Sequence, residues 1–291
     1  MLKPINPLLK LRFIAILVVF QCMGVSSFAQ KKIHEKFDFF FYWGYNRSAF
    51  NKSDVHISGN GYDLTFKDVE ARDKPTPFSI VDYIKPDNIS KPQYNYRMGL
   101  YLNDRLSISI GMDHMKYYMI TDQNLQIEGY IDPSASEKYQ GTYDNSSHEV
   151  PWRFMWLHHS DGLNYASVEV EYNYPIWQSM NEKFSWEGMA NVGVGMVVPK
   201  TYVMILNEGV DNKFHIAGGG PSVKLGTRFS FFKFCYAEIA SKNGYVWMPK
   251  ILVNNDNSAQ AKQRFAWTQF YGAVGFNIPL SGKQKNDAQN P

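Results

Sequence analysis

The chain has 291 residues, of which 44% are apolar and 16% aromatic, and 30 Lys and Arg stand against 27 Asp and Glu for a formal net charge of +3. That excess is three basic residues before position 30, Lys3, Lys10 and Arg12, so the rest of the chain is charge-balanced and gives no support to nucleic-acid binding. No apolar run of about 20 residues occurs after the first thirty, which excludes helical membrane spans there, and Cys235 is the one cysteine left in that part, which excludes an intramolecular disulfide.

Met1 to Ala29 has the form of a secretory signal peptide. A positive leader precedes the apolar run FIAILVVF, and Ser27-Phe28-Ala29 makes a small-x-small cleavage site before Gln30. Gln21 before Cys22 is a poor lipoprotein signal. Residues 30–282 then read as one β-rich unit, and 283–291 as a polar tail.

The strands follow from alternation of period two, which sends successive side chains to opposite faces. Phe37 to Arg47 puts Phe39, Phe41, Trp43 and Tyr45 on one face. Gln93 to Leu102 puts Tyr96, Met98 and Leu100 opposite Asn95, Arg97 and Gly99, and Asn103-Asp104 turns it into Leu106 to Tyr118. Trp152 to Tyr174 reads as two strands around a tight polar corner, with Phe154, Trp156, His158 and Ser160 sharing a face of the first arm. In the second arm Val168, Val170 and Tyr172 oppose Glu169 and Glu171. A short turn over Ser179 to Lys183 leads into Phe184 to Val198, followed by His215 to Phe231, Phe234 to Val246 and Phe265 to Leu280.

Segments of about ten alternating residues, short turns at one end and long polar connections at the other make the fold class all-β: an antiparallel transmembrane β-barrel of about 8–10 strands with long outer loops, placed in the outer membrane. The count is eight, or ten if Leu125 to Ile131 and Trp152 to Ser160 form an extra crossing pair. A soluble β-sandwich is the competing reading, since the same alternation serves either purpose. In the barrel, Arg97, Glu169, Glu171, Glu187, Lys224, Arg228, Glu238 and Lys242 meet in the lumen as a salt-bridged plug, and Trp43, Trp186, Trp247 and Trp267 form girdles at the interfaces. Among the outer loops, Asp54 to Asp68 with Gly59-Asn60-Gly61 is a rim hairpin, and Ser79 to Tyr83 is one helical turn.

Chemistry is sparse. His158 and His159 are adjacent on a strand, point to opposite faces and cannot chelate together, and Gly218-Gly219-Gly220-Pro221 lacks the Lys and Ser or Thr of a phosphate loop, so no metal or cofactor is expected. His158-x-Ser160 is different, because positions i and i+2 share a face and place a base beside a hydroxyl.

His158-x-Ser160-Asp161-Gly162 resembles the His-x-Ser-Asn-Gly of outer-membrane phospholipase A, and His158-x-Ser160 alone is similar to the corner of the lipid A 3-O-deacylases. That resemblance implies Ser160 as nucleophile and His158 as base on the lipid-facing side, with phospholipid or lipopolysaccharide as partner, and for the phospholipase also calcium and dimerisation. Asn164 is the candidate for the third, orienting residue, although Asp161 stands where both families have Asn. YWGYNRSAF, GMDHMKYYM and the Pro-rich first loop resemble exported barrels of Bacteroidetes-type bacteria. Two functions follow: a non-enzymatic barrel with a filled lumen and outer loops that bind or shield, or a lipid acyl-ester hydrolase acting from the outer rim.

Overall fold

The computed structural model describes residues 32–77, 79, 81, 85, 92–254 and 256–280. The expected signal peptide, the polar tail and most of the expected turn at 79–83 lie outside them. Among the described residues of the unit that begins at Ile33, fifteen strands run in chain order. They are β1 (Phe39–Phe50), β2 (Ser53–Gly59), β3 (Tyr62–Val69), β4 (Ala71–Asp73), β5 (Tyr94–Tyr101), β6 (Leu106–Met119), β7 (Gln123–Ile131) and β8 (Gly141–Val150) in the first half. The second half holds β9 (Met155–Gln178), β10 (Phe184–Pro199), β11 (Tyr202–Ile205), β12 (Glu208–Asp211), β13 (Gly218–Phe231), β14 (Cys235–Leu252) and β15 (Gln260–Ile278).

Eight of them close on themselves. The order β1-β5-β6-β9-β10-β13-β14-β15 is antiparallel at every step, and β15 returns to β1 over Phe39↔Ile278 through Phe50↔Trp267. Closure leaves the barrel section no free edge. The count is therefore eight, and the ten-strand option falls: β7, which contains Leu125 to Ile131, pairs with β3 and β8 outside the ring.

The corner expected at Ser160 is also corrected. Met155 to Gln178 is a single 24-residue strand. The pairing with β6 runs from Met115↔Leu163 directly to Tyr117↔His159, so residues 160–162 face Lys116 alone and the chain absorbs two extra residues as a bulge. Gly162 holds the bulge at φ +140°, a conformation that favours glycine. The polar residues that suggest a turn are thus a kink within a strand whose two arms both pair with β6.

Outside, the wall is apolar. Val168, Val170, Tyr172, Tyr174 and Ile176 of β9 are all exposed, as are Ile108 and Ile110 of β6, Val192 and Val194 of β10, and Val274 of β15 at 68%. From Val168 to Ile176 is about 27 Å along the strand, or roughly 20 Å across a bilayer at the usual strand tilt. Contiguous exposed apolar surface wrapping a closed barrel is a lipid-facing belt. Among the described residues no helix is long and apolar enough to cross a membrane; strands do the crossing.

The two barrel ends differ. One carries the short connections 102–105, 179–183 and 232–234 together with the segment that precedes β1, and the other carries the remaining connections. There β2, β3, β7 and β8 continue the sheet from β15, and β11 with β12 adds to β9 through Tyr202↔His158. The expected rim hairpin is the β2–β3 pair, with Gly61 at φ +75° in its turn.

Candidate functional site

The lumen is built by parity. Inward-facing Arg97 of β5, Asp113 of β6, Glu169 and Glu171 of β9, Glu187 of β10, Lys224 and Arg228 of β13, and Glu238 and Lys242 of β14 are each no more than 3% exposed. Eight of the nine form two charge-balanced groups of four, and Glu187 stands apart beside His34.

In the group nearer the outer end, Arg97 Nη2 lies 2.5 Å from Glu169 Oε1 and 3.7 Å from Asp113 Oδ2. Lys242 Nζ bridges the same Asp113 and Glu169 carboxylates. In the second group Arg228 donates from Nε and Nη2 to Glu238 Oε2 at 3.0 and 2.8 Å, and from Nη2 to Glu171 Oε1 at 3.0 Å. Lys224 Nζ takes the other Glu171 oxygen at 2.5 Å, and Arg228 Nη1 donates to Tyr101 Oη at 2.7 Å. Below them His34, from the segment preceding β1, stacks on Tyr101 at 3.7 Å and sits 2.7 Å from Glu187 Oε1. Charges this deep cost several kcal/mol each unless paired and hydrogen-bonded, and each of these has a partner of opposite sign or, at Glu187, a histidine.

Above the charges the filling turns apolar. Inward residues of the extended strands, Met115, Tyr117, Tyr165, Val197, Val246, Phe265 and Trp267, merge with Val55, Ile57, Leu64 and Phe66 of β2 and β3, Ile127 of β7, and Val203 of β11 into one buried core. Trp267, expected in an interfacial girdle, is 1% exposed inside this core; its parity is that of Tyr271 and Gln269, which face inward, and Gly244 opposite leaves room for the indole. Trp247, at 62% exposure, does face outward.

The residues singled out for chemistry stand at the outer rim. His158 faces outward from β9, its ring stacked between Tyr118 of β6 at 4.8 Å and Tyr202 of β11 at 5.0 Å, with Trp156 edge-on at 4.6 Å. Burial in this aromatic stack, with Lys74 nearby, pushes its pKa down to about 4. Ser160 lies in the bulge, and its side chain is outside the described atoms. Asn164 has the outward parity of Ala166 but is taken by other partners: His114 Nδ1 donates to its Oδ1 at 2.8 Å, and its Nδ2 donates to the Val198 carbonyl at 3.0 Å. Phe154, expected to share the face of His158, turns into the core, 4.5 Å from Tyr139 and 5.6 Å from Phe66. Asp161 joins a surface ion pair, with Lys200 Nζ 2.8 Å from it and 3.0 Å from Asp211. The structure thus brings His158 to an aromatic stack and Asn164 to His114.

Among the described residues no group of three or more His, Cys, Asp or Glu is placed to hold a metal ion. Sequence reasoning passed over Asp113 and His34 as lumen residues, and His159 as a core residue. Asp113 shares the parity of Ser107 and Ser109 on β6, which was signal enough; His34 precedes any alternating run and had none. His159 is fully buried, with Nδ1 2.8 Å from Thr201 Oγ1 and Tyr117 beside its ring.

No known family model matches the sequence, and no curated protein resembles it significantly. Among solved structures, the outer membrane protein OprG of Pseudomonas aeruginosa aligns with 85% of this chain and 99% of its own at 10% identity and a TM-score of 0.41. The outer membrane protein AlkL aligns with 88% and 97% at 8% identity and a TM-score of 0.39. Neisserial surface protein A aligns with 82% and 97% at 8% identity and a TM-score of 0.33. The chain is a transmembrane β-barrel, and that rests on its own closed ring and apolar belt.

Proposed function

We propose that this protein is a sealed outer-membrane barrel whose work is done outside the membrane by the β-structure on its long-loop end, which binds or shields something at the surface of a Gram-negative cell. The observation that carries this is the double closure of the lumen: paired charges in the membrane section and a continuous apolar core across the outer mouth. Eight strands leave an interior that side chains fill, so passage of solutes is not its task. The expected export signal fits the same placement. The test is flux through the isolated barrel, for which this reading predicts none.

A second reading keeps Ser160, His158 and Asn164 as an acyl-ester hydrolase acting on phospholipid or lipopolysaccharide. One observation favours it. A groove of about 660 Å³ on the lipid-facing wall, lined by Met98, Ile110, Met112, Ala166, Val168 and Met196, ends just below Asn164 on the same face and has the character of an acyl-chain seat. Against it stand the low basicity of His158, which suits a general base poorly near neutral pH, and the engagement of Asn164 with His114. Acyl release from outer-membrane lipid, compared between the wild-type protein and Ser160→Ala, decides it: equal release from both removes the hydrolase.

A further inference from the structure

We infer that the outer wall across β13, β14, β15 and β1 is a binding site for one phosphorylated glycolipid, with an acyl chain in a groove of the belt and the phosphorylated headgroup along a column of basic residues above it. The inference rests on reading the belt as the membrane-facing wall.

The groove has a volume of about 780 Å³. Leu225, Ile239 and Phe270 flank it and are 62–67% exposed. Its floor includes Gly272, above which a Cβ would meet no atom within 4 Å. A largely apolar groove on the lipid-facing wall takes a hydrocarbon chain.

The outer end of the groove is polar. Arg47 of β1, paired in register with Phe270, lines it, its side chain 60% exposed with Asp73 Oδ2 4.0 Å away. One row further out Thr268 donates to Asn243 Oδ1 at 2.7 Å. On the same outward column of β15 stand Arg264 and Lys262, both exposed, and neither has an ion pair among the described residues. Arg264 lies six residues beyond Phe270, about 20 Å along the strand. Opposite it in register is exposed Trp247, an aromatic face on which a sugar ring of the headgroup can stack.

That spacing selects the ligand. A glycerophospholipid headgroup is compact and can reach Arg47 alone. A headgroup of phosphorylated sugars rises out of the bilayer and can meet Arg47, Arg264 and Lys262 in turn, each cation taking phosphate oxygens.

The full-length protein, extracted in detergent and placed in nanodiscs, tests this with purified rough-type lipopolysaccharide and phosphatidylglycerol as alternative probes and native mass spectrometry as readout. The wild-type barrel should hold one lipopolysaccharide with at least tenfold preference over phosphatidylglycerol. Gly272→Leu should fill the groove without moving the wall, and Arg47→Gln/Arg264→Gln/Lys262→Gln should strip the column. Each should lower retention at least tenfold while heat-modifiable gel migration stays unchanged. Unchanged retention in the triple variant, equal binding of phosphatidylglycerol, or a lipid-free dimer that Gly272→Leu dissociates would each overturn the proposal. A chain that purifies without detergent would instead sink the membrane reading beneath it.

Discussion

Replacing Arg228 by Met removes the hub of the inner charge group while keeping an unbranched apolar stem. The guanidinium makes two bonds to Glu238, one to Glu171 and one to Tyr101, at 2.7–3.0 Å, and it is 0% exposed. With it gone, Lys224 still neutralises Glu171, but Glu238 keeps only the Tyr271 hydroxyl, 3.1 Å from its Oε1. One buried carboxylate is left without a counter-charge, a loss of about 3–5 kcal/mol. At a urea dependence of ~2 kcal/mol per molar this moves the unfolding midpoint by about 2 M. The assay is urea titration of the barrel in lipid vesicles, followed by the loss of the heat-modifiable band. Adding Glu238→Gln to Arg228→Met restores the balance, with Lys224 facing Glu171, and should recover at least half of the loss. If Arg228→Met costs less than about 1 kcal/mol, or the second substitution brings no recovery, the lumen is wet and the network does not close it.

Two further predictions concern the outer core. Leu64 is 0% exposed at its centre, so Leu64→Ala should cost the outer sheet about 2–5 kcal/mol; hydrogen exchange should show lost protection in β2 and β3 with the membrane section unaffected, and uniform loss would contradict a separately packed cap. His159 is held near a pKa of about 3, first by burial and then by His158 and His215. Its folded value lies below the ordinary 6.5, so this group's contribution is present above pH 6.5 and is lost as pH falls toward 3; at pH 4 the loss is about 3 kcal/mol. Exchange in the cap should therefore accelerate between pH 6.5 and 4 in the wild type and much less in His159→Gln, and identical pH profiles would refute the assignment.

The barrel was legible because its code is local. Alternation needs only the parity of neighbours, and parity alone places Arg97, Glu169, Glu171, Glu187, Lys224, Arg228, Glu238 and Lys242 inside. The turns at 103–104 and 179–183 then set the strand order. Trp267 shows how a rule of thumb misleads: an aromatic near a strand end suggests a girdle, yet its own parity says inward. The outer core was not legible, because β2, β3, β7 and β11 are distant in sequence and become one core only when β15 extends beyond the membrane to receive β2. The bulge at 160–162 reads as a turn for a physical reason. Ser160-Asp161-Gly162 has turn chemistry, and nothing local announces that β6 pairs on both sides of it. The partners of Asn164 were equally hidden, since His114 lies fifty residues away and reaches it only through the β6–β9 register.

Solute flux bears most directly on the central claim of a sealed barrel. Purified protein in planar bilayers should show no steady single-channel conductance, and proteoliposomes should not swell in small sugars. The Arg228→Met variant, with one lumen charge unbalanced and the apolar mouth intact, should remain closed as well. Steady, protein-dependent conductance from the wild-type chain would show an open path through the lumen and would contradict the account.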